Sequence, residues 1–294
     1  MRRWLLLALL SLACGPAGDR PAANAAALTV VDDAGRTVTL TAPARRIVSL
    51  APSTTEILFA IGAGDRLVGR TTWCKYPPAA EAIPAVGDGL NPNIEAVAAR
   101  QPDLVVLYRS RLNETAAEQL TRLGIPAVIL RQDRLEDVAR DARLLGRLTG
   151  RDASGDSLAR ALEAVAGTPV PPPAARLAFV VWDNPPTIIG AGSYLDQVAT
   201  LAGGVNVFHD VASASATVSL ETIAARNPDV IVLLTSDTDV TLPGWAARRE
   251  WQVVRAVRER RFVLLPEGLY GRPGPRAGEA VADLQRRFSG ERAR

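Results

Sequence analysis

Two stretches of the chain, NIEAVAARQPDLVVLY at residues 93–108 and SLETIAARNPDVIVLL at residues 219–234, repeat one pattern. In each copy a short helical segment with an acid in its first turn is stopped by a proline, and a continuous run of apolar, largely β-branched residues follows. Such a run is typical of a strand that is buried on both faces in a parallel sheet. The repeat therefore predicts a chain built from two similar α/β halves.

Strands and helices also alternate outside the two copies. In the first half we predict a hairpin over 28–40, strands over 45–52 and 66–70, a helix between these strands that ends at Gly62, a helix over 112–124, a strand over 126–130 and a helix over 134–149. In the second half we predict a strand over 176–182, a helix over 193–202, a strand over 261–266 and a final helix over about 274–288. Ser53 and Glu56 have the spacing of a capping box at the start of the first helix. This alternation predicts right-handed βαβ units and mostly parallel sheets.

The length of 294 residues and a proline-rich break predict two domains. A helix predicted over 151–167 is followed by TPVPPPAA at 168–175, which cannot continue a helix. We therefore predict an N-terminal lobe at 28–149, a connecting helix with the proline-rich break at 150–172, and a C-terminal lobe at 173–294.

The first residues have the layout of a secretory signal. MRRWLLLALLSLAC at 1–14 places two arginines before an apolar run that is too short to span a bilayer. Cys14 follows this run directly and resembles the lipidation site of bacterial lipoproteins. Ser11 departs from that pattern, so plain cleavage further along is the alternative. The small residues at 15–27 are expected to form a flexible tether.

Composition disfavours some classes of function. With 48% apolar and 22% charged residues, the chain has the composition of a globular protein rather than a disordered one. Its net charge is only +3, its single lysine is Lys75, and its arginines are scattered among acids without interleaved aromatic residues. This distribution disfavours nucleic-acid binding.

Signals for an enzyme are weak. His209 is the only histidine, which excludes a histidine-rich metal site, and a solvated loop residue is its simpler interpretation. Cys74 has no disulfide partner if Cys14 carries lipid, and it is more simply a structural thiol than a nucleophile. The chain has no GxxxxGK[ST] phosphate-binding loop, so a transport ATPase would be another chain. A secreted α/β enzyme that uses Cys74 or His209 is the competing hypothesis, which loss of an activity in Cys74→Ala would support.

Aromatic residues make up only 5% of the chain, and several stand near predicted strand ends or in loops. These are Trp73 in a long loop, Tyr108 and Trp182 at strand ends in separate halves, and Tyr270 in EGLYGRPGPR. Ligands of open α/β sheets bind beyond the carboxyl ends of the strands, so the pattern predicts a cleft between lobes that is lined by flat apolar faces. The alternative is that each ring closes the core of its own lobe.

Glu95 and Glu221 occupy the same position in the two copies. The helix dipole favours an acid in the first turn by about 0.3–1 kcal/mol, which alone would explain either residue. Common ancestry of the two halves would explain the match between them. A function shared by both lobes is the other explanation.

The order and spacing of five segments make the chain similar to the substrate-binding proteins of ABC importers for cobalamin, haem and iron–siderophore complexes, with the cobalamin-binding branch nearest. The segments are RIVSLAPSTTEILFAIGAGDRLVG (46–69), YPPAA (76–80), NIEAVAARQPDLVVL (93–107), NPPTIIGAGSYLDQVATLAGGVNVF (184–208) and SLETIAARNPDVIVLL (219–234). The resemblance runs from about Leu28 to the C-terminus. It implies an α/β fold of two Rossmann-like lobes with parallel sheets, joined by a long helix and separated by a ligand cleft.

The resemblance also implies a role for the two glutamates. In that family one glutamate at the tip of each lobe pairs with arginines of the membrane permease, and the matching positions here are Glu95 and Glu221. Two acids on similar lobes suit a two-fold symmetric permease dimer, and bidentate arginine–carboxylate bonds would fix the orientation.

Ligand-contact positions follow from the resemblance in the same way. The matching residues are Pro52, Ser53, Thr54, Trp73 and Tyr108 in the first lobe and Trp182 and Tyr270 in the second. Gly89 and Ser215 stand where two further tryptophans of the cobalamin type would be expected. Arg109 and Arg272 flank the expected cleft and could meet carboxylates or phosphates of a chelate.

The function that the resemblance implies is capture of a cobalamin-like corrinoid by a monomer outside the cytoplasm and delivery to an ABC permease. A haem or an iron–siderophore complex is the alternative ligand. We expect no resident cofactor, no metal site, no enzyme activity, and only modest lobe closure because a stiff helical bridge resists hinging. A sensory ligand-binding module is a further alternative, which continued uptake by a Glu95/Glu221 double alanine variant would favour.

Overall fold

The computed structural model describes residues 27–173, 175–237 and 241–289. The predicted signal at 1–14, the lipidation site Cys14 and nearly all of the predicted tether lie outside these residues. In the first half the elements are, in chain order, β1 (Leu28–Val31), β2 (Thr37–Leu40), β3 (Ile47–Ser49), α1 (Pro52–Ala60), β4 (Leu67–Arg70), α2 (Ile94–Ala98), β5 (Leu104–Tyr108), α3 (Arg111–Arg122), β6 (Ala127–Leu130) and α4 (Leu135–Thr149).

The sheet of the first lobe is parallel, as predicted. Its strand order is β4-β3-β5-β6, and β1 pairs with β2 as a separate antiparallel hairpin. The strand of the first repeat copy, β5, lies inside this sheet, and Leu104 to Leu107 are fully buried. Its burial on both sides explains the continuous apolar run, and only Tyr108 at its carboxyl end is exposed.

The connection between the lobes is a pair of closely packed helices. Gly150, in the left-handed conformation with φ of 60°, ends α4, and α5 (Asp152–Ala166) begins two residues later. The two helices approach so closely that a Cβ atom on Gly155 would lie 2.5 Å from the carbonyl oxygen of Ala142. The glycine at this position therefore permits the close contact of the two helix backbones.

The second half contains, in chain order, β7 (Ala175–Asp183), β8 (Pro186–Ile189), α6 (Tyr194–Leu201), β9 (Gly204–Asn206), β10 (Ser215–Thr217), α7 (Leu220–Arg226), β11 (Val230–Thr235), α8 (Arg255–Arg258), β12 (Phe262–Pro266), α9 (Glu267–Tyr270) and α10 (Ala277–Phe288). The strand order is β10-β8-β7-β11-β12, with β9 also paired to β7. The strand of the second repeat copy, β11, pairs in parallel with β7 and β12.

The second sheet differs from the prediction because it is mixed rather than parallel. β8 folds back on β7 as an antiparallel hairpin that brings Trp182 opposite Thr187, and β10 is antiparallel to β8. Asn184 and Pro185 make this reversal, since Asp183 already pairs with Pro186. The two-lobed α/β class is confirmed, and the hairpin is the local exception to its parallel arrangement.

The apolar core is continuous between the two lobes. One cluster of buried side chains includes Ile47 and Leu58 of the first lobe, Leu145 and Leu162 of the connecting helices, and Leu177 of the second lobe. Moving the lobes far apart would expose this shared surface to water, which is unfavourable. The core therefore favours small movements of one lobe relative to the other.

The predicted capping box at the start of α1 is wrong. The N-cap residue is Ala51, which makes no side-chain cap, and Gly62 follows the end of the helix in the left-handed conformation as expected. Ser53 donates its hydroxyl proton to the carbonyl oxygen of Pro273, and Glu56 pairs with Arg276. Both side chains are thus used for contacts with the other lobe.

In the described part of the chain, no helix is both long and apolar enough to cross a membrane.

Candidate ligand-binding cleft

The loops that follow the carboxyl ends of the strands in the two sheets meet each other. The loop after β4 contacts the segment that precedes α10, where Nη1 of Arg272 donates to the carbonyl oxygen of Trp73 at 3.3 Å. The loop after β6 contacts the segment after β8, where Nη1 of Arg134 donates to the carbonyl oxygen of Ala191 at 3.1 Å. The strand ends of both lobes therefore border a common region, which is where open α/β sheets bind ligands.

Trp73 presents an exposed ring on the loop after β4, with 55% of its surface accessible. The next residue, Cys74, is fully buried, and its sulfur lies 3.1 Å from the hydroxyl oxygens of both Thr55 and Thr71. Lys75 is exposed again. Cys74 thus has the surroundings of a structural thiol, and it anchors the loop that displays Trp73.

Tyr108 is the last residue of β5, and its hydroxyl donates to Oδ1 of Asp133 at 2.7 Å. Burial, followed by this hydrogen bond to a carboxylate, raises the pKa of Tyr108 to about 12. The phenol therefore stays neutral near pH 7 and its ring is held in place. Sequence reasoning missed Asp133, although its position three residues after the end of β6 is the signal that could have indicated it.

Trp182 provides the exposed ring of the second lobe, with 63% of its surface accessible. Its Nε1 donates to the carbonyl oxygen of Asn184 within the β7–β8 turn at 2.8 Å. A hollow of about 170 Å³ adjoins the ring, and its walls are the carboxyl ends of β7 and β11 together with Pro243, Trp245 and Leu264. This lobe therefore offers an exposed ring and an adjoining hollow at the carboxyl ends of its strands.

The segment PST contributes less to the cleft than expected. Ser53 is buried and bonded to Pro273, and Thr54 is fully buried, with its hydroxyl accepting from Nε2 of Gln132 at 3.2 Å. Pro52 alone keeps part of its surface accessible. The side chains of Ser53 and Thr54 are thus occupied by contacts within the protein, and a ligand contact at the start of α1 stays a prediction.

Tyr270 is also placed differently from the expectation. It ends α9 with no exposed surface, and its hydroxyl donates to the carbonyl oxygen of Ala280 at 2.9 Å and to Oδ2 of Asp283 at 2.7 Å. The ring closes the core of its own lobe against α10. This is the alternative interpretation that the sequence left open for the aromatic residues.

Arginines lie near the exposed rings. Arg109 follows Tyr108 directly and lies 3.6 Å from Glu114, with almost half of its side chain exposed. Arg272 reaches the backbone of Trp73 across the lobes. In contrast, Asp183 next to Trp182 is paired with Arg248 at 2.6 Å. The polar groups around the rings therefore include positive charge that an anionic ligand group could use.

Gly89, one of the two positions where tryptophan was expected, cannot hold a side chain in this backbone. Its φ is +82°, and an added Cβ would lie 2.6 Å from the carbonyl oxygen of Leu50. Ser215, the other position, lies exposed on the edge strand β10 opposite Ile189. The backbone of the loop at Gly89 thus excludes one of the two tryptophans of the cobalamin-type cage.

Glu95 and Glu221 are exposed and have the same local structure. Asn93 caps α2 by accepting from the amide of Ala96 at 2.9 Å, and Ser219 caps α7 by accepting from the amide of Thr222 at 3.2 Å. Hydrogen bonds from its own amide and from Ser219 hold the pKa of Glu221 below its usual value. Each lobe therefore presents a carboxylate on the first turn of a short helix.

His209 and the remaining acids do not form a metal site. Nδ1 of His209 lies 2.9 Å from Oδ2 of the buried Asp196, within the second lobe. Throughout residues 27–173, 175–237 and 241–289, no group of three or more His, Cys, Asp and Glu residues is arranged to hold a metal ion.

A relative found by sequence and two solved structures resemble this chain over most of its length. It is 29% identical to the uncharacterized ABC transporter substrate-binding lipoprotein YvrC of Bacillus subtilis, over 95% of this chain and 93% of that protein. The fold matches the crystal structure of the periplasmic vitamin B12 binding protein BtuF of Vibrio cholerae with a TM-score of 0.68, at 27% identity over 84% of this chain and 97% of BtuF. It also matches the periplasmic heme-binding protein RhuT from Roseiflexus sp. RS-1 with a TM-score of 0.72, at 26% identity over 83% and 97% of the two chains.

The sequence profile described as Periplasmic binding protein matches residues 47–269, which is more than half of the chain. This region contains both repeat copies, both sheets and the helices that connect them. The family consists of non-enzymatic proteins that bind small ligands for ABC transporters and deliver them to the permease. The chain therefore belongs to the periplasmic binding protein family.

Proposed function

We propose that this protein captures a cobalamin-like corrinoid in the cleft between its lobes and delivers it to the permease of an ABC importer. The observation that carries the proposal is the set of exposed aromatic rings on both lobes, Trp73, Tyr108 and Trp182, at or beyond the carboxyl ends of the strands. Flat apolar faces of this kind suit a large planar macrocycle. The similarity to BtuF, whose ligand is vitamin B12, supports the same assignment.

Binding on these faces requires little rearrangement of the protein. The ring of Tyr108 is fixed by Asp133, and the indole of Trp182 is fixed by the β7–β8 turn. Because the apolar core continues from one lobe to the other, ligand capture would involve modest closure rather than a wide hinge motion. A site that is already ordered loses less conformational entropy when the ligand binds.

Glu95 and Glu221 are the proposed contacts with the permease. They are exposed on equivalent short helices of the two lobes, as a two-fold symmetric permease dimer would require. Arginines on the permease could form bidentate bonds with both carboxylates. Delivery would then depend on the pair, because one carboxylate alone leaves the second subunit without its contact.

We further propose that the protein works in the periplasm or at the outer face of the cell envelope. The predicted signal at 1–14 and lipidation at Cys14 would anchor it there through the tether at 15–27. The relative YvrC is named as a lipoprotein, which supports this arrangement.

The arginines favour haem or an iron–siderophore complex as the second candidate ligand. Arg109 and Arg272 lie beside the aromatic rings and could pair with carboxylate groups, whereas a corrinoid offers few anionic groups. The missing side chain at Gly89 points in the same direction because it removes one face of the cobalamin-type cage. The similarity to the heme-binding RhuT supports this candidate.

Tryptophan fluorescence of the protein starting after Ala27 distinguishes the candidates. Cyanocobalamin, cobinamide, haem and a panel of ferric siderophores are titrated, with correction for the absorbance of these coloured ligands. Saturable one-to-one quenching by a corrinoid, with binding weakened about tenfold in Trp73→Ala, is the expected result. Leu123→Ala is the control, since Leu123 is an equally exposed apolar residue at the end of α3. Tight binding of haem or a ferric chelate without any response to corrinoids would replace the first ligand by the second.

A further inference from the structure

Arg276 of the second lobe reaches into the first lobe, where its guanidinium makes two kinds of contact. Its Nε and Nη2 donate to Oε2 and Oε1 of Glu56 on α1, at 3.0 and 3.1 Å. The same guanidinium lies over the ring of Tyr76, with Cζ 3.7 Å from the ring centroid. Within its own lobe Nη2 also donates to the carbonyl oxygen of Gly268 at 2.6 Å. Arg276 therefore connects the start of α10 with α1 and with the loop after β4.

The pair of Arg276 and Glu56 is withdrawn from water. Only 3% of the Glu56 side chain and 16% of the Arg276 side chain are exposed. A bidentate arginine–carboxylate bond is directional, and removal of one partner of a buried pair leaves an uncompensated charge. The ion pair of Arg276 and Glu56 thus holds the two lobes in one relative arrangement.

Two neighbouring residues of the same segment add contacts to the first lobe. The carbonyl oxygen of Pro273 accepts from the hydroxyl of Ser53, and Nη1 of Arg272 donates to the carbonyl oxygen of Trp73. The segment 73–76 therefore touches the second lobe at both of its ends, through the backbone of Trp73 and the ring of Tyr76.

On its other side the segment 73–76 is anchored inside the first lobe. Buried Cys74 contacts Thr55 and Thr71, and the amide of Trp73 donates to the hydroxyl of Thr71 at 3.2 Å. The indole of Trp73 itself stays exposed, and no hydrogen bond from its ring fixes it within the described residues. Its direction is therefore set by the backbone on either side of it.

We propose that Arg276 is a positioning residue for ligand binding, which together with Glu56 holds the segment 73–76 so that Trp73 faces the cleft. The inference rests on the proposed function, and it assigns the second lobe a part in arranging a ligand contact of the first lobe. Arg276 restrains the segment in two ways. Its guanidinium covers the ring of Tyr76, and its ion pair with Glu56 fixes the distance between the two lobes. A cation over an aromatic face is attracted to it and restrains the ring sideways.

Hydrogen–deuterium exchange, measured without added ligand, tests the positioning directly. We expect peptides that cover residues 71–78 to exchange about fivefold faster in Arg276→Gln than in the parent protein. The matched control is Arg287→Gln in the last turn of α10, the helix that begins directly after Arg276, because Arg287 pairs with Asp283 within the second lobe, Nε to Oδ2 at 2.7 Å. Equal exchange of these peptides in Arg276→Gln and in Arg287→Gln would overturn the proposal, whatever the ligand is.

Tyr76→Leu keeps the test decisive if loss of the buried ion pair prevents folding. This variant leaves the pair of Arg276 and Glu56 intact and removes only the ring beneath the guanidinium. Faster exchange over 71–78, with an unchanged midpoint of urea unfolding, would support the proposal. Exchange equal to that of the parent protein would contradict it.

The ligand titration supplies the functional readout. We expect Arg276→Gln to raise the dissociation constant for cyanocobalamin, or for haem if that binds instead, about tenfold, with Arg287→Gln unchanged and Arg276→Lys intermediate. Unaltered affinity in Arg276→Gln despite faster exchange over 71–78 would overturn the role in binding. If the parent protein binds no member of the panel, the proposed function fails, and the exchange result by itself still decides whether Arg276 positions the segment.

Discussion

At the scale of single residues, the four aromatic side chains considered for the ligand site differ in their exposure to solvent. Trp73, Tyr108 and Trp182 lie at or beyond strand ends with accessible faces, whereas Tyr270 is buried. A sequence pattern places a residue beside the carboxyl end of a strand, but whether its ring turns outward depends on the next helix. For Tyr270 that helix is α10, which accepts the hydroxyl bond at Ala280.

Trp182 is predicted to contribute to affinity through the area of its ring rather than through its N–H group, which is already bonded to Asn184. Trp182→Ala is therefore expected to weaken ligand binding about tenfold, and Trp182→Phe only about two- to threefold. Fluorescence titration with the ligand that binds the parent protein measures both. If Trp182→Phe weakened binding as much as Trp182→Ala, the ring-area explanation would be wrong.

At the scale of elements, periodicity and turn residues predicted the helices and strands of the first half, and the two repeat copies became α2–β5 and α7–β11. In the second half they missed the short elements β8, β9, β10, α8 and α9. What they could not predict was pairing across distant segments. Ser53 and Glu56 have the spacing of a cap, yet their partners, Pro273 and Arg276, lie 220 residues further along the chain. The antiparallel return of β8 was missed for a related reason, since a short apolar strand does not itself indicate its direction.

The loop around Gly89 gives a prediction at this scale. Gly89→Ala meets both an unfavourable positive φ and the carbonyl oxygen of Leu50, whereas Gly35→Ala meets a positive φ of 75° with open space around the added methyl. We expect Gly89→Ala to lower the free energy of unfolding by about 1–3 kcal/mol more than Gly35→Ala does. Urea unfolding of both variants measures the difference. Equal losses would show that the loop relaxes away from Leu50.

At the scale of the whole molecule, the two-lobed class could be inferred from the repeat and the family resemblance, while the continuity of the core could not. The core depends on which faces of α4 and α5 meet, and Gly155 permits that contact. Sequence spacing identified Gly155 only as one residue of a helix.

Buried Asp141 on α4 makes the stability of the molecule depend on pH. Burial raises its pKa to about 7, although Nη2 of Arg140 lies 2.9 Å from its Oδ1. The raised pKa in the folded state means that this group's contribution to stability is fully present below about pH 4 and is lost as the pH rises through about 7. The rise of the Asp141 pKa from its ordinary value to about 7 corresponds to about 4 kcal/mol of free energy.

Asp141→Asn removes this titration. We expect its free energy of unfolding, relative to that of the parent protein, to increase between pH 5 and pH 8. Urea unfolding at several pH values measures this difference and cancels the titrations that the two proteins share. A difference that stays constant with pH would contradict the raised pKa of Asp141.

Delivery to the permease is expected to need both carboxylates. Replacing Glu95 and Glu221 together by glutamine should reduce ligand-stimulated transport in reconstituted vesicles at least tenfold, without changing the dissociation constant for the ligand. Each single variant should fall between the double variant and the parent protein. As a control for the change of charge, Glu118→Gln on α3 should transport normally. Transport by the double variant at the parent rate would favour the sensory alternative.

The exposed Lys75 next to buried Cys74 has a practical consequence. It is the only lysine of the chain, and it lies two residues from Trp73. An amine-reactive fluorophore can therefore mark no side chain except one at the proposed ligand site. With the N-terminal α-amino group blocked beforehand, at a pH where the amine of Lys75 is still protonated, such a label would report occupancy of the cleft from a single known position, without the introduction of any new residue.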